Sequence, residues 1–147
     1  MKISKKSEYA VRALVDLSTR PTEPGWTQIS QIAEATHIPE KYLEQILLAL
    51  KNGGLLKSKR GIDGGYALKL PPEQITLDAV VTLLEGRPIY EPSDDGRALD
   101  AAQVFSQLVA EAEEASYARL AALTLANLLD LVRHRQQARS EAAEYQI

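Results

Sequence analysis

Residues 27–70 leave this chain little conformational freedom, because they pack two short helical patterns and two strand patterns between glycine and proline stops. The second helical pattern is the most demanding. Leu43, Ile46, Leu47 and Leu50 recur at i, i+3, i+4 and i+7, which predicts a helix from residue 39 to about residue 52 with one apolar face. Pro39 suits the first helical position, where its missing N–H costs nothing, and Gly53-Gly54 supplies the stop. Upstream, residues 27–36 read as a shorter helix with Ile29, Ile32 and Ala33 inward and Thr27 or Ser30 as its cap. His37-Ile38 forms the turn between the two. Downstream, residues 55–59 and 66–70 have strand character, and the glycines of Arg60-Gly61-Ile62-Asp63-Gly64-Gly65 permit the positive φ angles of a hairpin loop.

The remaining patterns are helical. Residues 5–19 place Tyr9, Ala13 and Leu17 on one stripe beside Ala10, Val11 and Leu14; the prolines and glycine of residues 20–25 end it. After Pro71-Pro72, Thr76 can cap a helix over residues 77–85, with Leu77, Val80, Val81 and Leu84 inward and Gly86 as the stop. Asp100 can cap a long helix reaching about residue 123. Thr124 or Asn127 marks a joint, and a second helical stretch continues to about residue 139. The class is α+β and mostly α. A winged helix-turn-helix spans residues 1–85, a signal-responsive loop 86–99, a helical dimerisation arm 100–139 and a fraying tail 140–147.

Two helices joined by a short turn and followed by a two-stranded hairpin make a winged helix-turn-helix. The apolar face of the second helix docks it, and the other face is free to enter a major groove about 12 Å wide. That free face carries Lys41, Tyr42, Glu44 and Gln45, with Ala49 at its margin. Gln can bond an adenine edge, Glu can accept from cytosine, and Tyr can reach a phosphate or a base. The hairpin carries Lys57, Lys59, Arg60 and Lys69 against one acid, Asp63, and Arg60 stands at the turn, where a guanidinium suits a narrow minor groove. Lys2, Lys5 and Lys6 add charge at the start of the first helix. Charge is divided accordingly: residues 1–70 hold 11 Lys and Arg against 7 Asp and Glu, and residues 71–147 hold 6 against 13, so only the first half suits a polyanion. Double-stranded DNA is the expected partner. A winged helix that docks on a protein, or a sensor holding a small effector behind the loop 87–99, remains the alternative.

Composition excludes other classes. The chain has no cysteine, so disulfides, thiolate metal sites and cysteine nucleophiles are absent, as suits a cytoplasmic protein. No apolar run approaches the roughly 18–20 residues of a membrane span, and residues 1–8 are too polar for a signal peptide. His37 and His134 lack ligand-spaced partners, and residues 61–65 lack the Lys and helix of a phosphate loop, so no enzyme is expected. Beyond residue 100, Phe105, Leu108, Ala112 and Ala115, then Leu120, Leu123, Leu128 and Leu131, form more apolar surface than the head can cover, which predicts a homodimer.

The residues also carry a family likeness. Ser4-Lys5-Lys6-Ser7-Glu8-Tyr9-Ala10-Val11-Arg12-Ala13-Leu14, Tyr42-Leu43-Glu44-Gln45-Ile46-Leu47 and Leu50-Lys51-Asn52-Gly53-Gly54-Leu55 resemble the iron–sulfur cluster regulator (IscR/CymR-like, Rrf-two) family. The likeness is most specific in Lys59-Arg60-Gly61-Ile62-Asp63-Gly64-Gly65-Tyr66-Ala67-Leu68, close over residues 1–85 and looser beyond. It implies a homodimer on an imperfect palindrome, often a repressor. It implies that Tyr42, Glu44 and Gln45 approach bases, that Arg60 enters the minor groove, that Ser4 lies near the DNA backbone, and that the long helix pairs with its copy. Many members hold an iron–sulfur cluster on three cysteines in the loop matching residues 87–103. This chain has none there, so no such cofactor is expected. Glu91, Asp94, Asp95 and Asp100 have the chemistry to hold a hard cation, although acids in such a loop more often only solvate it.

Overall fold

A computed structural model describes residues 1–23, 25–88 and 100–146. Its elements are α1 (Lys5–Thr19), α2 (Ile29–Thr36), α3 (Glu40–Asn52), β1 (Leu56–Lys59), β2 (Gly65–Leu68), a single 3-10 turn (Pro72–Gln74), α4 (Leu77–Glu85), α5 (Ala101–Ala121) and α6 (Leu125–Glu144). The loop acids Glu91, Asp94 and Asp95 lie outside the described residues.

The periodic stripes become the core. Leu14 of α1, Ile32 of α2 and Leu43, Leu47 and Leu50 of α3 are fully buried, joined by Leu56, Ile75, Val80 and Leu125. Each such side chain gains about 1.5–3 kcal/mol on leaving water. α1 packs against α2, α3, α4, β2 and α6, so it is the centre on which the reading helix and the wing are hung. β1 and β2 pair antiparallel, Leu56 opposite Leu68 and Lys59 opposite Gly65. This register turns Leu56, Ser58, Tyr66 and Leu68 to one face and Lys57 and Lys59 to the other.

Helix ends depart from the sequence reading where tertiary contacts claim the capping residue. Thr27 does not cap α2. It is buried, and its main chain exchanges hydrogen bonds with Tyr66, Thr27 N–H to Tyr66 O at 3.0 Å and Tyr66 N–H to Thr27 O at 2.8 Å. Gln28 takes the N-cap place, with Gln31 Oε1 accepting its N–H at 3.0 Å. His37 ends α2 with φ 56, a left-handed turn that reverses the chain into α3. Thr124 and Asn127 both serve at the later joint: they form a capping box, Thr124 N–H to Asn127 Oδ1 at 2.9 Å and Asn127 N–H to Thr124 Oγ1 at 3.2 Å.

The arm also differs. α6 runs on to Glu144, past the expected end near residue 139, and Ala142, Ala143 and Glu144 are strong helix formers with no glycine or proline among them. Its first turns return to the head. Leu125 N–H bonds Ile75 O at 2.8 Å, Leu77 N–H bonds Leu123 O at 2.9 Å, and Leu125 joins the core while Leu128 packs against it. Leu128 is therefore partly taken up by the core of its own chain.

Candidate nucleic-acid interface

The buried stripe of α3 turns its opposite face outward. Lys41, Tyr42, Glu44 and Gln45 are all exposed, Tyr42 at 61%. At 100° per residue Gln45 and Lys41 stand at the centre of the free face, whereas Tyr42 and Glu44 lean to opposite flanks. Leu48, 51% exposed, stands on the same free face, although the sequence analysis did not place it there. A Leu there offers contact to a thymine methyl.

On the Tyr42 flank the fold brings in α1. Lys5, Lys6 and Tyr9 line a groove of about 420 Å³ with Tyr42, Gln45 and Ile46. The first helix thus places two lysines beside the reading helix, a juxtaposition that spacing along the chain does not reveal. Lys5 also donates to Glu8 at 3.0 Å, and Arg12 to the same carboxylate at 2.7 Å. Those cations, Lys5 foremost, hold the Glu8 carboxyl below its ordinary value.

The wing projects on the other side. Lys59 and Arg60 are exposed at its end, and Ile62 is 89% exposed in its loop. Lys41, Lys57, Lys59 and Arg60 have no carboxylate partner among the described residues, so their charge is available to a polyanion. Lys57 is placed differently from the others: its ammonium lies 5.4 Å from the centre of the Trp26 ring, at the root of the wing. Gln28 fixes the loop, its Nε2 donating to Ile62 O at 2.6 Å. Trp26 and Gln28 precede α2, and nothing local marked them as wing supports.

Ser4 is engaged internally. It caps α1, and its hydroxyl donates to Glu85 Oε1 at 2.5 Å while its N–H donates to the same oxygen at 2.7 Å. Its hydroxyl proton is therefore not offered outward.

On α5, Phe105 and Leu108 are 67% and 58% exposed, Ala112 is exposed, and Leu120 is half-buried within its own chain. Among the described residues no helix is long and apolar enough to cross a membrane.

Residues 3–131 match the Rrf2 family, described as iron-dependent transcriptional regulators. The chain belongs to the Rrf2 family. Across 99% of both chains it is 34% identical to an HTH-type transcriptional regulator of Synechocystis sp.. Its fold matches T. potens IscR with a TM-score of 0.73 at 30% identity, over 92% of this chain and 91% of that one. CymR, the global cysteine regulator of B. subtilis, matches with a TM-score of 0.69 at 31% identity, over 89% of this chain and 98% of that one. The likeness read from the helix and wing motifs is thus the family relationship, and the mostly helical winged helix-turn-helix is the family fold. As an Rrf2 protein the chain is a DNA-binding transcriptional regulator of the helix-turn-helix type; its relatives are regulators, not enzymes.

The iron of the Rrf2 description meets a poor donor set here. The chain has no thiolate to hold a cluster, and among the described residues no three His, Asp or Glu side chains gather as metal ligands. Asp100 is the described loop acid, and its carboxylate accepts from Ala102 N–H at 3.5 Å as the cap of α5. A cluster held by cysteines of the protein does not fit this chain.

Proposed function

We propose that this Rrf2 protein acts as a homodimer that reads a palindromic operator and represses transcription from it. Residues 1–85 bind DNA, residues 86–99 respond to a signal, and α5 pairs with its copy. The observation that carries the reading is the exposed face of α3, with Lys41, Tyr42, Glu44 and Gln45, standing beside a wing tipped by the exposed Arg60. The first supplies base-edge partners in a major groove, the second a cation for the minor groove next to it. The exposed Phe105 and Leu108 of α5 favour a dimer, since they are large apolar side chains that nothing in the described residues of one chain covers. Work on DNA places the protein in the bacterial cytoplasm, and a small effector or partner protein acts through residues 86–99 or α5.

Selecting bound duplexes from a random pool with the purified protein tests this. The expected product is an inverted repeat with half-sites about one helical turn, ~34 Å, apart. Its binding should weaken steeply with salt, as several Lys and Arg residues release counterions. A pool without enrichment would reject the reading in favour of a protein-docking winged helix.

A further inference from the structure

The end of α4 sends two side chains in opposite directions. Glu85, its last residue, turns to α1: its Oε1 accepts the Ser4 N–H at 2.7 Å, the Ser4 hydroxyl at 2.5 Å and the Ser7 hydroxyl at 2.6 Å. Ser7 is 1% exposed, so its hydroxyl depends on that carboxylate for a partner. Arg87 turns to α5: its guanidinium donates to Glu114 at 2.5 Å and lies 4.7 Å from the centre of the Tyr117 ring. Tyr117 is itself buried, so Arg87 is held by stacking as well as by charge. Only Gly86, with φ 73, separates the two.

The placement of Glu85 works against its own helix. A carboxylate in the last turn of α4 sits at the negative end of that helix dipole, where Lys or Arg would be favoured. It is well placed only with respect to α1. The turn of α1 that it grips carries Lys5 and Lys6, which line the groove with Tyr9, Tyr42 and Gln45.

We propose that Glu85 is a positioning residue of the DNA interface, which links α5, through Arg87, to the Lys5–Lys6 turn of α1. The proposal rests on the DNA-binding reading above. A shift of α5 draws on Arg87, and the single-residue link passes the movement to Glu85 and so to Ser4 and Ser7. Because α4 packs against both α1 and α5, it is the shared body through which the two contacts act together.

A double-mutant cycle on the full chain tests the link, with affinity for the selected duplex and its salt slope as readouts. Glu85→Ala should weaken binding by about tenfold, within the ordinary range of coupling between sites. It should also lower the salt slope by about one to two, as Lys5 and Lys6 lose fixed phosphate contacts. Glu85→Gln, which keeps an acceptor oxygen, should recover most of both. Glu85→Ala combined with Arg87→Ala should bind no worse than Glu85→Ala alone. A loss of affinity at unchanged slope, or no loss, overturns the positioning role, and additive losses overturn the link to α5. If Glu85→Ala does not fold, Ser7→Ala, which removes a hydroxyl that Glu85 holds, takes its place in the cycle. Amide hydrogen exchange of Ser4 to Ser7 reads the link without DNA: Arg87→Ala should speed it, and unchanged exchange overturns the coupling. A wild-type protein that selects no duplex defeats the DNA reading itself, and the exchange measurement then decides the coupling alone.

Discussion

Gly65 stands directly against the main chain of Thr27: a Cβ at Gly65, where φ is +141, would lie 2.2 Å from the Thr27 carbonyl oxygen. This approach is what lets Thr27 and Tyr66 exchange their two hydrogen bonds and so tether the wing to the segment before α2. Gly65→Ala should detach the wing, at a cost of about 2–4 kcal/mol from clash and strain together. Asp63→Ala, on the exposed loop of the same wing, should leave the melting temperature nearly unchanged. Thermal melts of the two variants check this; equal melting temperatures would contradict it.

The α3 and wing contacts should separate by kind. Gln45→Ala should lose roughly 1–3 kcal/mol at one base position and relax the preference there. Glu44→Ala should broaden the accepted sequences with little loss of affinity. Arg60→Ala should lower the salt slope by about one, with an effect that grows with A·T content beneath the wing. Lys57→Ala should weaken all duplexes about equally, and alter the emission of Trp26, the single Trp of the chain. Titrations of a duplex panel at several salt concentrations read all four. Unchanged affinity in both Gln45→Ala and Arg60→Ala would mean that this face does not meet DNA.

Acid should uncouple Glu85 from α1. The hydroxyl and N–H of Ser4, with the hydroxyl of Ser7, hold the Glu85 carboxyl down from 4.5 to about 2. A depressed folded-state pKa means that the carboxylate stabilises the fold fully above the unfolded value and loses that contribution as pH falls through the folded one. The difference in melting temperature between wild type and Glu85→Gln should therefore be widest above pH 4.5 and close as pH approaches 2. A difference independent of pH over that window would show that the contact does not depend on the charge.

The α5 surface should control assembly. Phe105→Asp and Leu108→Asp place a charge on side chains that are 67% and 58% exposed in one chain, so neither should lower the stability of the monomer appreciably. Both should dissociate the dimer, because a charge buried in an apolar seam is strongly disfavoured. Sedimentation at micromolar concentration should give the 16.2 kDa species for the variants and twice that mass for the wild type. Leu120→Asp should act otherwise, lowering the stability of the chain itself, since Leu120 is half-buried within it. A wild type that sediments as a monomer would remove the dimer from the proposed function.

Local signals in the sequence determined the elements and the outward residues. The stripe Leu43, Ile46, Leu47 and Leu50 fixes which face of α3 is buried, and therefore that Lys41, Tyr42, Glu44 and Gln45 face out. The glycines of residues 61–65 and the alternation after them determine the hairpin and put Arg60 at its end. These readings succeed because a helix has a period of 3.6 and a strand a period of 2, and both are written into neighbouring residues. Contacts between distant segments carry no such period, and only the tertiary structure decided them. It set Lys57 over Trp26, brought Lys5 and Lys6 beside Tyr42, returned Leu125 to the core, and spent Ser4 on a carboxylate 81 residues away. Each of these depends on how α1 lies against α3, α4 and the wing, and that packing is chosen by the fit of whole faces, not by any one stretch of chain.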